Sequence, residues 1–152
     1  MTDEALDERV ARLLDERDIL ATLNGYAHAM DYHDEATWVD AFTEDAVFDV
    51  VDSVSGVRVH REEGREELAR YIANYPSPPP YRKHVMVNPV VTVDGRTATV
   101  RAYWILLERM AGKGLPELVA FGAYRDRLVK QDDGKWRIVE RFGDVEANAR
   151  VP

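Results

Sequence analysis

Val90-Val91-Thr92-Val93-Asp94-Gly95-Arg96-Thr97-Ala98-Thr99-Val100 carries the clearest structural instruction in the chain. Valine and threonine fill both flanks, as a pleated strand prefers. Asp94-Gly95 between them is a strong two-residue hairpin signal, because these residue types accept the positive φ that such a turn demands. Working outward, the pattern predicts one strand over 81–93 and its partner over 97–110. A third follows over 117–131, a turn at Asp132-Asp133-Gly134, and a fourth over 135–145. Upstream the period changes. Leu6, Val10, Leu13, Leu14, Arg17, Leu20 and Leu23 recur at three- and four-residue steps, the mark of an amphipathic helix. Gly25 within it signals a break or a close packing contact. A short helix over 35–42 carries Trp38, Ala41 and Phe42, and a strand over 46–51 can pair with 57–60. Residues 64–74 return to helix, with Leu68, Tyr71, Ile72 and Tyr75 toward the core. Helices first and hairpin-linked strands last give an α+β fold with a mainly antiparallel sheet.

At 152 residues the chain is one domain, 1–152. It has no cysteine, hence no disulfide, thiolate zinc site or thiol nucleophile. Its 28 acidic and 20 basic residues leave a net charge of −8, the wrong field for a nucleic-acid backbone or an anionic membrane. No run approaches the ~20 apolar residues of a membrane span, and the acidic N-terminus is unlike a signal peptide. The expectation is a soluble, cytoplasmic protein. On the long strands, Val85, Val87, Val91 and Val93 alternate with Met86 and Val90, and Val100, Ala102, Trp104 and Leu106 with Tyr103, Ile105 and Leu107. Apolar residues on both faces require cover on both faces. The helices suffice for one, so a homo-oligomer formed through the outer sheet face is expected.

The chain lacks the G-x-S-x-G, G-x-x-x-x-G-K-[ST] and G-x-G-x-x-G motifs. Chemistry therefore falls to His, Asp, Glu, Tyr, Lys or Arg. Asp31 follows Leu20, Leu23 and Ala27 on the apolar helical face, where a carboxylate is costly unless paired. Taken alone it reads more simply as a cap past the helix end, since Asp34 and Thr37 also look like cap residues. His84 opens His84-Val-Met86-Val-Asn88-Pro89, and a two-residue period puts His84, Met86 and Asn88 on one face. That suits a pocket wall, although a core histidine bonded to a backbone carbonyl is the plainer reading. Together they explain each other. A buried Asp against one ring nitrogen fixes the imidazole tautomer and leaves the other nitrogen as a general base. Fifty-three positions separate the two, and the sequence does not show that they meet. His28, His33 and His60 read as surface or rim, and no spacing of three or four ligands suggests a metal. No cofactor is expected. An apolar pocket needs a lining, for which Met30, Met86, Trp38, Phe48, Trp104, Phe121 and Phe142 are the candidates.

The run Tyr26-Ala-His-Ala-Met-Asp31-Tyr-His-Asp34…Trp38…Phe42-Thr-Glu-Asp45-Ala-Val-Phe48 resembles the first helices and strand of SnoaL-like proteins in the nuclear-transport-factor-2-like superfamily. His84…Asn88, Asp94-Gly-Arg-Thr-Ala98, Gly122-Ala-Tyr124-Arg-Asp126 and Asp133-Gly-Lys-Trp136-Arg-Ile138 extend the likeness over about 10–145. The resemblance implies a cone-shaped α+β barrel, its curved mixed sheet wrapped around the N-terminal helices and a deep pocket. It is nearest to the subgroup of scytalone dehydratase, the bile-acid dehydratase and hexachlorocyclohexane dehydrochlorinase. Asp31 and His84 fall at that subgroup's dyad positions, and Tyr26 falls where the bile-acid type carries a catalytic tyrosine. The scytalone type has Tyr directly before its Asp, where Met30 stands here, and a second pocket histidine not found in this chain. The implied activity is a cofactor-independent lyase or isomerase of dehydratase type. It would act on an apolar cyclic, steroid-like or polyketide-like small molecule. His84 is the base, Asp31 its orienting partner, and Tyr26 with Asn88 engages the substrate oxygen. A polyketide cyclase, or a non-catalytic binding or accessory subunit like the small subunit of ring-hydroxylating dioxygenases, stays open. Relatives suggest a trimer or dimer, and the loop 112–116 a rim or lid.

Overall fold

The computed structural model describes residues 3–76, 81–109 and 114–149. Three helices, α1 (Asp3–Tyr32), α2 (Glu35–Asp40) and α3 (Gly64–Asn74), accompany six strands. These are β1 (Phe42–Asp52), β2 (Arg58–Glu63), β3 (Arg82–Asp94), β4 (Thr97–Arg109), β5 (Pro116–Lys130) and β6 (Trp136–Asn148). The expected 112–116 loop and the proline-rich 75–81 stretch fall partly outside the described residues.

The Asp94-Gly95 signal is met by a two-residue hairpin, with Gly95 at φ 57° and Asp94 paired to Thr97. From there β3, β4, β5 and β6 run antiparallel in sequence. The last strand, β6, then lies parallel against β1, giving the order β2-β1-β6-β5-β4-β3. The sheet is mixed, curved and open, with β2 and β3 as its edges, so the barrel implied by the resemblance does not close. This parallel pairing begins at Phe42↔Ile138. For that reason α2 ends at Asp40 rather than at 42, and β1 starts four residues earlier than its β-rich core suggested.

The helices fill the inner side of the sheet. Tyr26, Trp38, Phe42 and Phe48 pack with ring centroids 4.8 to 6.2 Å apart, and such pairs add about 0.5–1.5 kcal/mol each beyond area burial. Leu68 and Ile72 of α3 are fully buried against them, each contributing roughly 1.5–3 kcal/mol. Gly122 is indispensable to this packing: a Cβ there would lie 1.8 Å from the Asp144 carbonyl oxygen and 3.0 Å from the Trp104 ring. Trp104 instead donates its indole N–H to that carbonyl at 3.2 Å.

Three expectations need correction. Leu6, Val10, Leu13 and Leu14 are exposed, and burial of α1 begins at Ile19; periodicity reveals an apolar stripe but not what covers it. Gly25 neither breaks α1 nor sits in a tight contact, since nothing lies within 4 Å of a Cβ placed there. On β3 the two-residue period does not hold throughout. The register against β4 slips between Val87 and Val90, and Asn88 adopts a left-handed backbone at φ 53°. This bulge reverses the phase, so Met86, Val91 and Val93 pack on the core while Val85 and Val90 are exposed. The outer face also exposes Tyr103, Leu118 and Phe121.

Candidate active site

The end of α1 decides where Asp31 points. His33 takes a left-handed conformation at φ 59°, and the Asp34 N–H reaches back to the Ala29 carbonyl at 2.8 Å, the wrapped ending that stops a helix. Asp34 then caps α2, its carboxylate accepting from the Thr37 N–H at 3.1 Å. The capping role belongs to Asp34, and Asp31 is left in the last turn of α1, buried, facing β3.

A carboxylate at a helix C-terminus meets the negative end of the dipole and loses its hydration. Two donors compensate in three contacts, all from one residue. The His84 backbone N–H lies 3.1 Å from both carboxylate oxygens, and His84 Nδ1 lies 2.6 Å from Oδ1. With Nδ1–H donating to Asp31, Nε2 carries the lone pair of the neutral ring. It faces the Tyr75 hydroxyl at 3.4 Å. Burial raises the Tyr75 pKa, partly countered by Arg82, so Tyr75 is an O–H donor at neutral pH. Arg82 lies over the Tyr75 ring at 5.5 Å and is held by Glu108 at 2.9 Å. The two residues that the sequence could only juxtapose are thus in contact.

Tyr26 lies elsewhere. Among the described residues no hydrogen bond or ring contact joins it to Asp31 or His84. Its ring packs on Trp38, Phe42 and Phe48 and on the Arg141 guanidinium at 4.1 Å. Its hydroxyl is buried with no hydrogen-bond partner among the described residues. Burial pushes its pKa up to about 12 despite the nearby Arg141 charge. The Trp38 indole N–H is likewise buried with no partner among the described residues, so within them the aromatic core holds two unused donors.

Of the residues expected to line a pocket, Met30, Trp38, Phe48 and Trp104 are buried in the core and Met86 packs against it. Asn88, Phe121 and Phe142 do not face the core. Asn88 sits exposed on the β3 bulge, and Phe121 is exposed on the outer face. Phe142 pairs with Arg125, whose guanidinium covers its ring from outside at 4.4 Å. Alternation itself places the two phenylalanines outward, since Ala120, Gly122 and Tyr124 are buried around Phe121, and Arg141 and Gly143 flank Phe142.

One residue read as rim belongs on the inner side. His60 and Glu62 flank Arg61, which pairs with Asp49 on the opposite face, and the register slip between Val50 and Val51 brings Arg58 to the same carboxylate. His60 Nδ1 contacts Glu62 at 2.7 Å, and its ring packs on Phe48 and Tyr71 at 4.7 Å. The i,i+2 spacing of His60 and Glu62 within a strand was the available signal. A groove of about 620 Å³ opens beside them, lined by Glu62, Tyr71 and Tyr75 among others.

No curated protein matches the chain. Solved structures do. A variant of Rv3472, a Mycobacterium tuberculosis protein of unknown function, is 27% identical, with a TM-score of 0.74 over 97% of this chain and 79% of that one. An NTF2-like protein with a cystatin-like fold from Novosphingobium aromaticivorans has a TM-score of 0.80 at 23% identity, over 98% and 94%. A candidate scytalone dehydratase from the same organism has a TM-score of 0.69 at 20% identity, over 90% and 87%. The latter two establish the architecture alone. The SnoaL-like domain model matches residues 11–142, and with the curved sheet and helices described above the chain belongs to the SnoaL-like family.

Proposed function

We propose that the protein is a cofactor-independent lyase or isomerase in which His84 is the general base. The observation that carries this reading is the buried 2.6 Å contact from Asp31 to His84 Nδ1, with Nε2 turned away from it. The substrate is a small apolar ring compound with a carbonyl next to an acidic C–H bond. Nε2 takes that proton, and Asp31 stabilises the imidazolium that forms. Where a hydroxyl stands on the next carbon, the C–H electron pair becomes a C=C bond. The C–O bond then breaks, and the departing oxygen takes a proton from Tyr75 and leaves as water; His84 returns its proton to Tyr75 or solvent. Without a leaving group the same proton returns at another carbon, which is isomerisation. Such help is typically worth about 10²–10⁴-fold. Tyr26, buried and undeprotonated, fits the role of fixed donor from the core side better than that of base.

The test is 3-hydroxy-1-tetralone, which loses water to 1-naphthol and can be followed by the naphthol fluorescence. Wild type should accelerate it, and His84→Gln should lose about two to four orders of magnitude while keeping its near-UV circular dichroism. Equal rates in the two proteins would refute the base assignment. The same reading takes the exposed Val85, Tyr103, Leu118 and Phe121 surface as the seat of a second copy. Phe121→Glu should then lower the mass measured by sedimentation.

A further inference from the structure

Two carboxylate–imidazole–phenol chains stand on the opposite edges of the open sheet. On β3, Asp31 holds His84 Nδ1, and Nε2 faces the Tyr75 hydroxyl at 3.4 Å. On β2, Glu62 holds His60 Nδ1 at 2.7 Å, and Nε2 faces the Tyr71 hydroxyl at 3.5 Å. Tyr71 and Tyr75 lie one helical turn apart at the end of α3, with ring centroids 5.8 Å apart. A single short aromatic bridge therefore joins the two imidazoles, and Trp38 stacks on it from the core side at 5.7 Å. The second chain is not a solvated surface pair. The His60 and Glu62 side chains are 20% and 15% exposed, and the imidazole edge-packs on Phe48. Glu62, Tyr71 and Tyr75 line one groove with Arg61, Glu67 and Arg70, so the carboxylate and phenol members of the two chains, rather than the imidazoles themselves, border the same space.

We propose that His60, fixed by Glu62 and flanked by Tyr71, is an oxygen-binding subsite that receives a hydroxyl or carbonyl at the far end of the substrate. The inference rests on the assignment of His84 as the reacting base and specifies the substrate class further. The carboxylate commits Nδ1–H, leaving Nε2 as an acceptor and the Tyr71 O–H as a donor. One polar oxygen satisfies both. The Tyr71 and Tyr75 rings lie between the two imidazoles and offer a flat body a surface to stack on, opposite a charged outer wall of Glu67 and Arg70. The ligand is then a planar ring system with oxygen functions at both ends, one for chemistry at His84 and one for recognition at His60.

The experiment compares 2,6-dihydroxynaphthalene with 2-naphthol by calorimetric titration of the intact protein. Wild type should bind the diol at least tenfold more tightly. His60→Phe keeps an aromatic ring against Phe48 and should abolish that preference while leaving 2-naphthol affinity within twofold. Tyr71→Phe, which removes only a hydroxyl, should reduce the preference several-fold and covers the case in which His60→Phe does not fold. Equal affinity of wild type for the two probes, no binding of either, or an undiminished preference in the folded variants would overturn the subsite. Failure of the base assignment looks different. There His84→Gln would dehydrate 3-hydroxy-1-tetralone as fast as wild type, whatever the diol preference.

Discussion

Asp31 and Asp126 are both buried carboxylates held by a charged or chargeable partner, and they do different things. Asp126 of β5 forms a two-point pair with Arg141 of β6, at 2.8 and 2.7 Å, both side chains essentially inaccessible. The guanidinium is sandwiched between the rings of Tyr26 and Tyr124 at 4.1 and 4.3 Å. Burial alone would lower the Arg141 pKa, and Asp126 instead holds it well above the ordinary arginine value. Two of its donors are committed to Asp126 and both of its faces to rings, and it cannot change charge. Asp31 is matched with an imidazole, which commits one nitrogen and keeps the other. A buried acid with Arg stabilises a geometry, whereas a buried acid with His also leaves one site able to move a proton.

Four measurements can break or sharpen that contrast. Arg141→Met strands a buried carboxylate and should cost about 3–5 kcal/mol in urea unfolding. A cost under 1 kcal/mol would mean that Asp126 simply takes up a proton. Asp31→Asn keeps a hydrogen-bond acceptor for the His84 N–H. It should cost less, about 1–3 kcal/mol, while slowing turnover by roughly 10²-fold or more. If stability fell as far as in Arg141→Met, the pair would be structural too. Tyr26→Phe removes a buried hydroxyl that has no partner among the described residues. The change should be neutral or raise stability by up to about 1 kcal/mol, and any loss of rate beyond tenfold would place that hydroxyl on the substrate.

The smallest effect is acid titration at Asp15, a third acid of intermediate character. Burial raises its pKa, but hydrogen bonds from Lys130 and Trp136 and the Lys130 charge more than offset this, and the net shift is down from 3.8. A group depressed on folding contributes stability at pH values above its unfolded pKa, and the contribution is lost as pH falls through the folded one. Trp136 fluorescence should therefore report a stability decline as pH falls below about 4, shallower in Asp15→Asn, where the lowered Asp34, Asp40, Asp52 and Asp133 still contribute.

How far the sequence led depended on whether a feature was local. The hairpins could be read because a turn such as Asp94-Gly95 is specified by its own residues. The α1 stripe was recognised but misplaced, since Leu6 to Leu14 carry the same periodicity as the buried half and only the extent of the sheet separates them. Asn88 is read onto the wrong side because a bulge shifts the phase there, whereas Phe121 and Phe142 are chosen as aromatics although alternation with buried Gly122, Tyr124, Arg141 and Gly143 puts them outside. Asp31 and His84 could be suspected because a lone acid on an apolar face demands a partner, yet their contact depends on β3 passing the end of α1. His60 was overlooked beside arginines and glutamates, although alternation alone assigns His60 and Glu62 to one face and Arg61 to the other.

The position of β6 bears on how the molecule is assembled. Among the described residues it is the last strand in sequence yet lies between β1 and β5, and its ladder with each is the sole strand-to-strand link between the β1–β2 hairpin and the β3–β5 meander. During synthesis the β1–β2 hairpin emerges well before it and the β3–β5 meander directly ahead of it, and each can close its own local pairing without it. The parallel β1–β6 register joins residues nearly a hundred positions apart, as at Phe42↔Ile138, the kind of distant closure that slows folding. His60 belongs to one piece and His84 to the other. Until residues 136–148 leave the ribosome, no ladder joins the sheet pieces that carry the two imidazoles, so the arrival of β6 and the completion of the site become a single event.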